Sequence, residues 1–202
     1  MLIREVVEID EKLRREINYI DTHCSDAVAA YRITSRILYR GIKSFDKIIK
    51  GKSLSYREPV DTEPITQELV DKMLSGAGFK ALRSNSIFCT PEVWDTKYYG
   101  EPYILFPENG FEYTWSRKIR DFYSDIDDNL PKAKEMNGDF NILTPEEFVS
   151  KYGFTMFGFN TALSLENEIL IHGKYVAVKL GWVGKDVLRK LDIETDLEDR
   201  LI

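Results

Sequence analysis

Tyr175-Val176-Ala177-Val178-Lys179-Leu180 is the stretch on which the fold reading turns. Aliphatic, β-branched and aromatic residues crowd together there, the composition of a strand. Just before it, Glu168-Ile169-Leu170-Ile171-His172-Gly173 reads as a second strand followed by a turn. Upstream, Tyr103-Ile104-Leu105-Phe106 and the segment from Phe111 to Trp115 are two more. Glu108-Asn109-Gly110 separates them, and Asn-Gly is a hairpin signal. Ile37-Leu38-Tyr39-Arg40-Gly41-Ile42 predicts a short buried strand, and Phe79 to Thr90 a strand or strand pair.

Helical patterns frame these strands. Val6, Ile9, Leu13, Ile17 and Ile20 recur at spacings of three and four, which predicts a helix over 3–21. Ser25-Asp26 is placed to cap a second helix through Ala27, Ala30 and Tyr31. A short helix over 44–50, a loop over 51–64 and a helix capped by Thr66 and stopped at Gly76 and Gly78 follow. Pro91 to Thr96 predicts a turn into a short helix that ends at Gly100. Thr144-Pro145-Glu146-Glu147 combines a cap, a first-turn proline and acidic residues, so another helix begins there and ends near Gly153. The acidic, polar stretch 121–141 reads as a surface helix or insertion, and 185–202 as a charged helix. Helices first and short strands later predict an α+β fold, N-terminal helices packed on a mostly antiparallel two-sheet core.

Of 202 residues, 43% are hydrophobic and 31% charged, which suits one domain with a real core. The formal net charge of −6 repels a phosphate backbone, so nucleic acid is an unlikely partner. Arg14-Arg15 and the lysines from Lys43 to Lys52 are the densest basic stretches and read as solvated faces. No secretory segment or membrane-length apolar run is evident, so a cytoplasmic protein with reduced Cys24 and Cys89 is expected. His23 and His172 do not combine with these cysteines in a zinc-binding spacing. His23 beside Cys24 is too close in the chain to make a direct catalytic dyad.

Three places carry candidate chemistry. Arg40 interrupts an apolar run, and an arginine there needs a partner, either a ligand phosphate or a structural carboxylate. Gly41 beside it lets a ligand or another backbone come close. In Arg83-Ser84-Asn85-Ser86, strand alternation puts Ser84 and Ser86 on one face, either to orient a carboxylate or as a solvated edge. In Glu166-Asn167-Glu168, two glutamates at i and i+2 at the mouth of an apolar strand point the same way, lining a cleft or an acidic surface turn. The absence of a Glu-x-Lys pattern here argues against a metal-dependent nuclease.

In the order Arg, Ser, Glu-x-Glu, these segments resemble mono-ADP-ribosyltransferases of the arginine–serine–glutamate type, the family of clostridial toxins and vertebrate ecto-enzymes. In that family the arginine lies on the first core strand and contacts NAD, a Ser-Thr-Ser strand supports the site, and the second Glu is catalytic. The resemblance covers short segments between Ile37 and Val178. Asn85 stands where the family has Thr, and the long interval from Ser86 to Glu166 requires an insertion, for which 121–141 is the candidate.

The resemblance implies one domain over 1–202: a helical part to about 35, a transferase-like core over about 36–182 and a final helix over about 185–202. It implies NAD as substrate and a protein acceptor, arginine by virtue of Glu166. Glu168 faces the ribose, Ser84 fixes Glu168, and Glu166 takes the acceptor's proton. Arg40, Gly41, Ser86, Phe157 and Phe159 contact NAD, with Tyr152 and Asn160 in the same stretch as the family's target-recognition loop. The small, charged chain is of the kind expected of a bacteriophage or bacterial accessory protein. The alternative function is a non-catalytic interaction or virion structural protein on a degenerate copy of that fold.

Overall fold

A computed structural model describes residues 2–58, 63–120 and 143–195. The acidic stretch 121–141 and residues 196–202 of the expected 185–202 helix therefore lie outside the described residues.

The chain is α+β, with helices at its N-terminus and two antiparallel four-stranded sheets. Helix α1 (Leu2–His23) buries Leu13, Ile17 and Ile20, three positions of the apolar stripe that announced it. Helix α2 (Ser25–Thr34) buries Ala27, Val28, Ala30 and Tyr31. Ser25-Asp26 does not cap it. Ser25 is already helical, and the cap comes from far along the chain: Asn109 Oδ1 accepts from the Asp26 N–H at 3.1 Å.

Sheet one has the order β1 (Leu38–Ile42), β4 (Glu101–Pro107), β8 (Lys174–Lys179), β2 (Ile48–Lys52). Sheet two has the order β3 (Ile87–Cys89), β7 (Ile169–His172), β5 (Glu112–Ser116), β6 (Phe154–Thr155). The two are joined where Tyr39 of β1 exchanges both backbone hydrogen bonds with Thr90, at 2.7 and 3.0 Å.

Several expectations are corrected by this topology. The Asn-Gly turn does not make a hairpin, because β4 and β5 belong to different sheets. Its backbone donors are taken elsewhere: Glu108 N–H by Lys174 O at 2.9 Å and Asn109 N–H by His23 O at 2.7 Å. The turn thus steers the chain from one sheet to the other. The expected helix over 44–50 is instead a loop and the strand β2, since Ile48 and Ile49 add to the edge offered by β8. Branched side chains fit that pleated surface better than a short isolated helix. Between Phe79 and Thr90 only Ile87–Cys89 is a strand. Helix α3 (Pro64–Gly76) starts two residues before Thr66, at a proline suited to the first helical position. The final helix, expected over 185–202, is Trp182–Lys190: it starts earlier and ends at Lys190.

The capping box is borne out in α4 (Pro145–Tyr152). Thr144 Oγ1 accepts from Glu147 N–H at 3.2 Å, and the Glu147 carboxylate accepts from Thr144 N–H at 2.8 Å. Gly153 ends the helix with φ 69°.

The main core gathers Trp115, Tyr103, Phe106, Ile169 and Val176 from both sheets with Ile20 and Tyr31 from the helices. A second cluster, with Val70, Leu74, Phe148, Phe154 and Leu170, seats α3 and α4 on sheet two. Trp115, Tyr31, Tyr103 and Phe106 are the largest fully buried side chains. Burial of each is worth about 1.5–3 kcal/mol or more in transfer terms.

Candidate functional site

β1 carries Arg40, β3 ends in Cys89, and β7 begins just after Glu168. β3 and β7 run antiparallel with Cys89 opposite Ile169, which brings the end of β3 beside the start of β7. Arg40 reaches β3 directly: its Nη1 donates to the Phe88 carbonyl at 2.9 Å. That bond holds the guanidinium in one orientation and gives the half-buried charge a polar partner.

Cys89 follows Phe88, the partner of Arg40, and pairs with Ile169, which follows Glu168. Its thiol is buried, and burial pushes its pKa up to about 12, with Arg40 acting to lower it and Glu168 to raise it. Arg40 also acts on the phenol of Tyr175, whose pKa burial raises. An arginine from sheet one and a glutamate just ahead of β7 in sheet two therefore both act on the charge state of one buried thiol.

The Glu motif is set by a helix end rather than by a strand. Helix α5 (Phe159–Ser164) closes at Leu165, and Glu166 follows with φ 61°. A non-glycine residue in the left-handed region costs about 1 kcal/mol. Strand alternation, the basis for expecting Glu166 and Glu168 to point alike, does not govern that turn. Asn167 is buried between them and donates from Nδ2 to Ser116 O at 2.7 Å, while Glu168 N–H donates to Arg120 O at 2.9 Å. Glu166 Oε1 lies 3.7 Å from Arg36 Nη2, and Arg36 Nη1 lies 3.8 Å from Glu92 Oε1.

The serine motif is corrected. Arg83, Ser84 and Asn85 form a turn, not a strand. Asp71 of α3 accepts from the Arg83 and Ser84 N–H groups at 2.7 and 3.0 Å, and Asn85 Oδ1 accepts from Leu82 N–H at 2.8 Å. Side chains thus take the donors that a sheet ladder would need. Asn85 O is 2.8 Å from His172 Nδ1, at the opposite end of the β3–β7 pair from Glu168. Ser84 accordingly does not hold Glu168. Ser86 is buried and donates to Asn85 Oδ1 at 3.0 Å.

Gly41 does admit a close approach, and the chain itself makes it. A Cβ there would lie 2.3 Å from Thr96 O and 2.8 Å from Tyr99 Cβ. The aromatic residues divide. Phe157 is 73% exposed, its carbonyl accepting from Trp115 Nε1–H at 2.9 Å. Phe159 packs on Phe111 and Tyr113 with ring centroids 5.1 and 5.2 Å apart, and Tyr152 is buried against Phe148 at 4.8 Å. Phe159 and Tyr152 therefore serve packing, and Phe157 alone of the three is displayed to solvent. Asn160 is exposed in α5.

Arg36, Cys89 and Glu92 were not singled out by sequence. Arg36 and Glu92 sit outside any strand or helix, where no period marks them. Cys89 was considered only for disulfide or metal chemistry. Among the described residues, no group of three or more His, Cys, Asp or Glu could hold a metal ion, and no helix is long and apolar enough to cross a membrane. Compared with known proteins, the chain matches no family model, no curated protein and no solved structure.

The buried thiols give a pH prediction. Burial raises Cys24 as well as Cys89 from an ordinary value of 9.0 to about 12. The fold keeps two protons that the unfolded chain releases first, so this stabilisation is whole below pH 9 and is lost as the pH rises through 12. Urea midpoints are expected to fall across that window, and iodoacetamide at about pH 8 is expected to label the cysteines only after unfolding. Rapid labelling of the native protein would contradict the burial.

Proposed function

We propose that the chain is a mono-ADP-ribosyltransferase that moves ADP-ribose from NAD to an arginine side chain of a protein. The observation that carries this reading is that Arg40 of sheet one bonds to Phe88 O on β3, whose next residue, Cys89, pairs with Ile169 directly after Glu168. A cation able to hold a diphosphate and a carboxylate able to face a ribose cation are the two charges such a reaction needs at one place.

In this reading the bond between the nicotinamide nitrogen and ribose C1′ breaks, and its electron pair leaves with nicotinamide. Glu168 stabilises the positive charge that develops on the ribose. A guanidino nitrogen of the acceptor then bonds to C1′ and gives its proton to Glu166. Arg40, oriented by Phe88 O, binds the diphosphate. Ser84 has no part in orienting Glu168, given its position across the strand pair.

The test is incubation of the purified protein with NAD and agmatine, a small guanidino acceptor. The expected products are free nicotinamide and ADP-ribosyl-agmatine, read by mass spectrometry. A protein that releases no nicotinamide with or without acceptor is not this enzyme.

A further inference from the structure

Arg36 stands in the short connection between α2 and β1, and its backbone is pinned there. Its N–H donates to Thr34 Oγ1 at 3.2 Å, and that hydroxyl donates to Ala30 O at 2.8 Å. The side chain is held differently. Its guanidinium spans Glu92, just ahead of the 3₁₀ helix Val93–Tyr98, and Glu166, just ahead of β7. At 3.8 and 3.7 Å, both separations exceed the 2.7–3.2 Å of a hydrogen bond. The guanidinium is attracted to both carboxylates without closing the bidentate fork that gives arginine its strongest contacts. With its side chain 24% exposed and Glu166 37% exposed, Arg36 has a route into solvent.

We propose that Arg36 occupies the acceptor subsite: in the absence of an acceptor its guanidinium stands where the acceptor's guanidinium binds, between Glu92 and Glu166. This rests on the transferase reading above. An acceptor nitrogen that gives its proton to Glu166 must come within hydrogen-bond reach of that carboxylate, which Arg36 now faces. A planar cation with paired donors matches two carboxylates on opposite sides, whereas a point-like ammonium does not. The subsite therefore selects guanidino compounds, and each acceptor competes with a resident guanidinium held by a weak, partly exposed ion pair. Glu92 becomes an acceptor-binding residue, a role its position ahead of a 3₁₀ helix does not advertise.

The test separates KM from kcat. Arg36→Gln is expected to lower the KM for agmatine about three- to fivefold, the scale of a partly exposed ion pair, with a smaller change in kcat. Arg36→Lys, which keeps charge but not the planar fork, is expected to fall between wild type and Arg36→Gln. Glu92→Gln is expected to raise the same KM about threefold. Lys185→Gln, an exposed charge on the final helix, controls for net charge and is expected to change nothing. An unchanged or higher agmatine KM in both Arg36 variants would overturn the proposal. So would a lowered KM in Lys185→Gln equal to that of Arg36→Gln. Melting temperatures taken alongside identify a merely structural role, in which stability falls and KM stays. Agmatine binding without NAD, followed by ligand-observed NMR, keeps the two readings apart. Tighter binding by Arg36→Gln in a protein that never releases nicotinamide supports the guanidinium subsite and sinks the transferase. Nicotinamide release with no gain in binding does the reverse.

Discussion

Glu168→Gln is expected to cut nicotinamide release from NAD by about a hundredfold or more while leaving the protein folded. The substitution keeps the size of the side chain and its capacity for hydrogen bonding. It removes the negative charge that acts on Cys89 against the influence of Arg40. A ribose cation forming at that place would meet Arg40 without a compensating carboxylate, and a preorganised charge in a partly dry site is worth several kcal/mol to the transition state. The backbone bond from Glu168 N–H to Arg120 O does not involve the carboxylate and stays in the variant. Glu166→Gln separates the two steps. It is expected to spare slow hydrolysis, in which water is the acceptor, and to impair transfer to agmatine. Nicotinamide release and agmatine labelling, measured side by side for wild type and both variants, decide the matter. Equal activity in all three proteins would remove Glu168 from the mechanism.

Trp115→Ala is expected to cost about 3–5 kcal/mol of stability, the range for truncating a large buried aromatic. Trp115 is fully buried at the meeting of the two sheets, opposite Ile169 in the β5–β7 register. Its ring fills core volume, and its Nε1–H donates to Phe157 O at 2.9 Å, which anchors the segment before α5. Truncation opens a cavity and leaves that carbonyl without the indole donor. For a chain of this size the melting temperature should drop by about 6–20 °C. Trp115→Phe restores most of the volume but not the donor and should cost about 1–2 kcal/mol. Urea denaturation of the two variants checks both figures. A loss below about 1 kcal/mol for Trp115→Ala would mean that the core collapses around the gap and that the indole does not hold the approach to the Glu motif.

The loss at Trp115 and the loss at Glu168 are linked through local geometry. Ser116, next to Trp115, accepts from the buried Asn167, the residue between the two glutamates. The approach to β7 is thus tied to the core on both sides of Glu166, at Phe157 and at Asn167. This explains how a non-glycine residue is kept at φ 61° there: the flanking contacts over-determine the turn.

What the sequence determined by itself is whatever depends on neighbours a few residues away. The apolar stripe of α1, the capping box at Thr144, the glycine stop at Gly153 and the strands β4, β7 and β8 all follow from such short-range rules, and all are present. So is the general architecture, because helices placed before clustered strands leave few ways to bury both. Arg40 was legible as a costly charge in an apolar run, though its partner was not. What only the tertiary structure decided is where backbone groups and charges find partners far along the chain. Asn-Gly at 109–110 is a hairpin by local rules, yet His23 O takes the Asn109 N–H, Lys174 O takes the Glu108 N–H before it, and Asn109 caps α2. Ile48 and Ile49 become strand because β8 presents an edge, and Ser84 leaves the strand because Asp71 claims its N–H. The bond from Arg40 to β3, whose end pairs with the start of β7 beside Glu168, and the meeting of Arg36 with Glu92 and Glu166, depend on how two sheets join. No spacing encodes it, since electrostatic partners are chosen by distance in space, and that distance exists only once the core has closed.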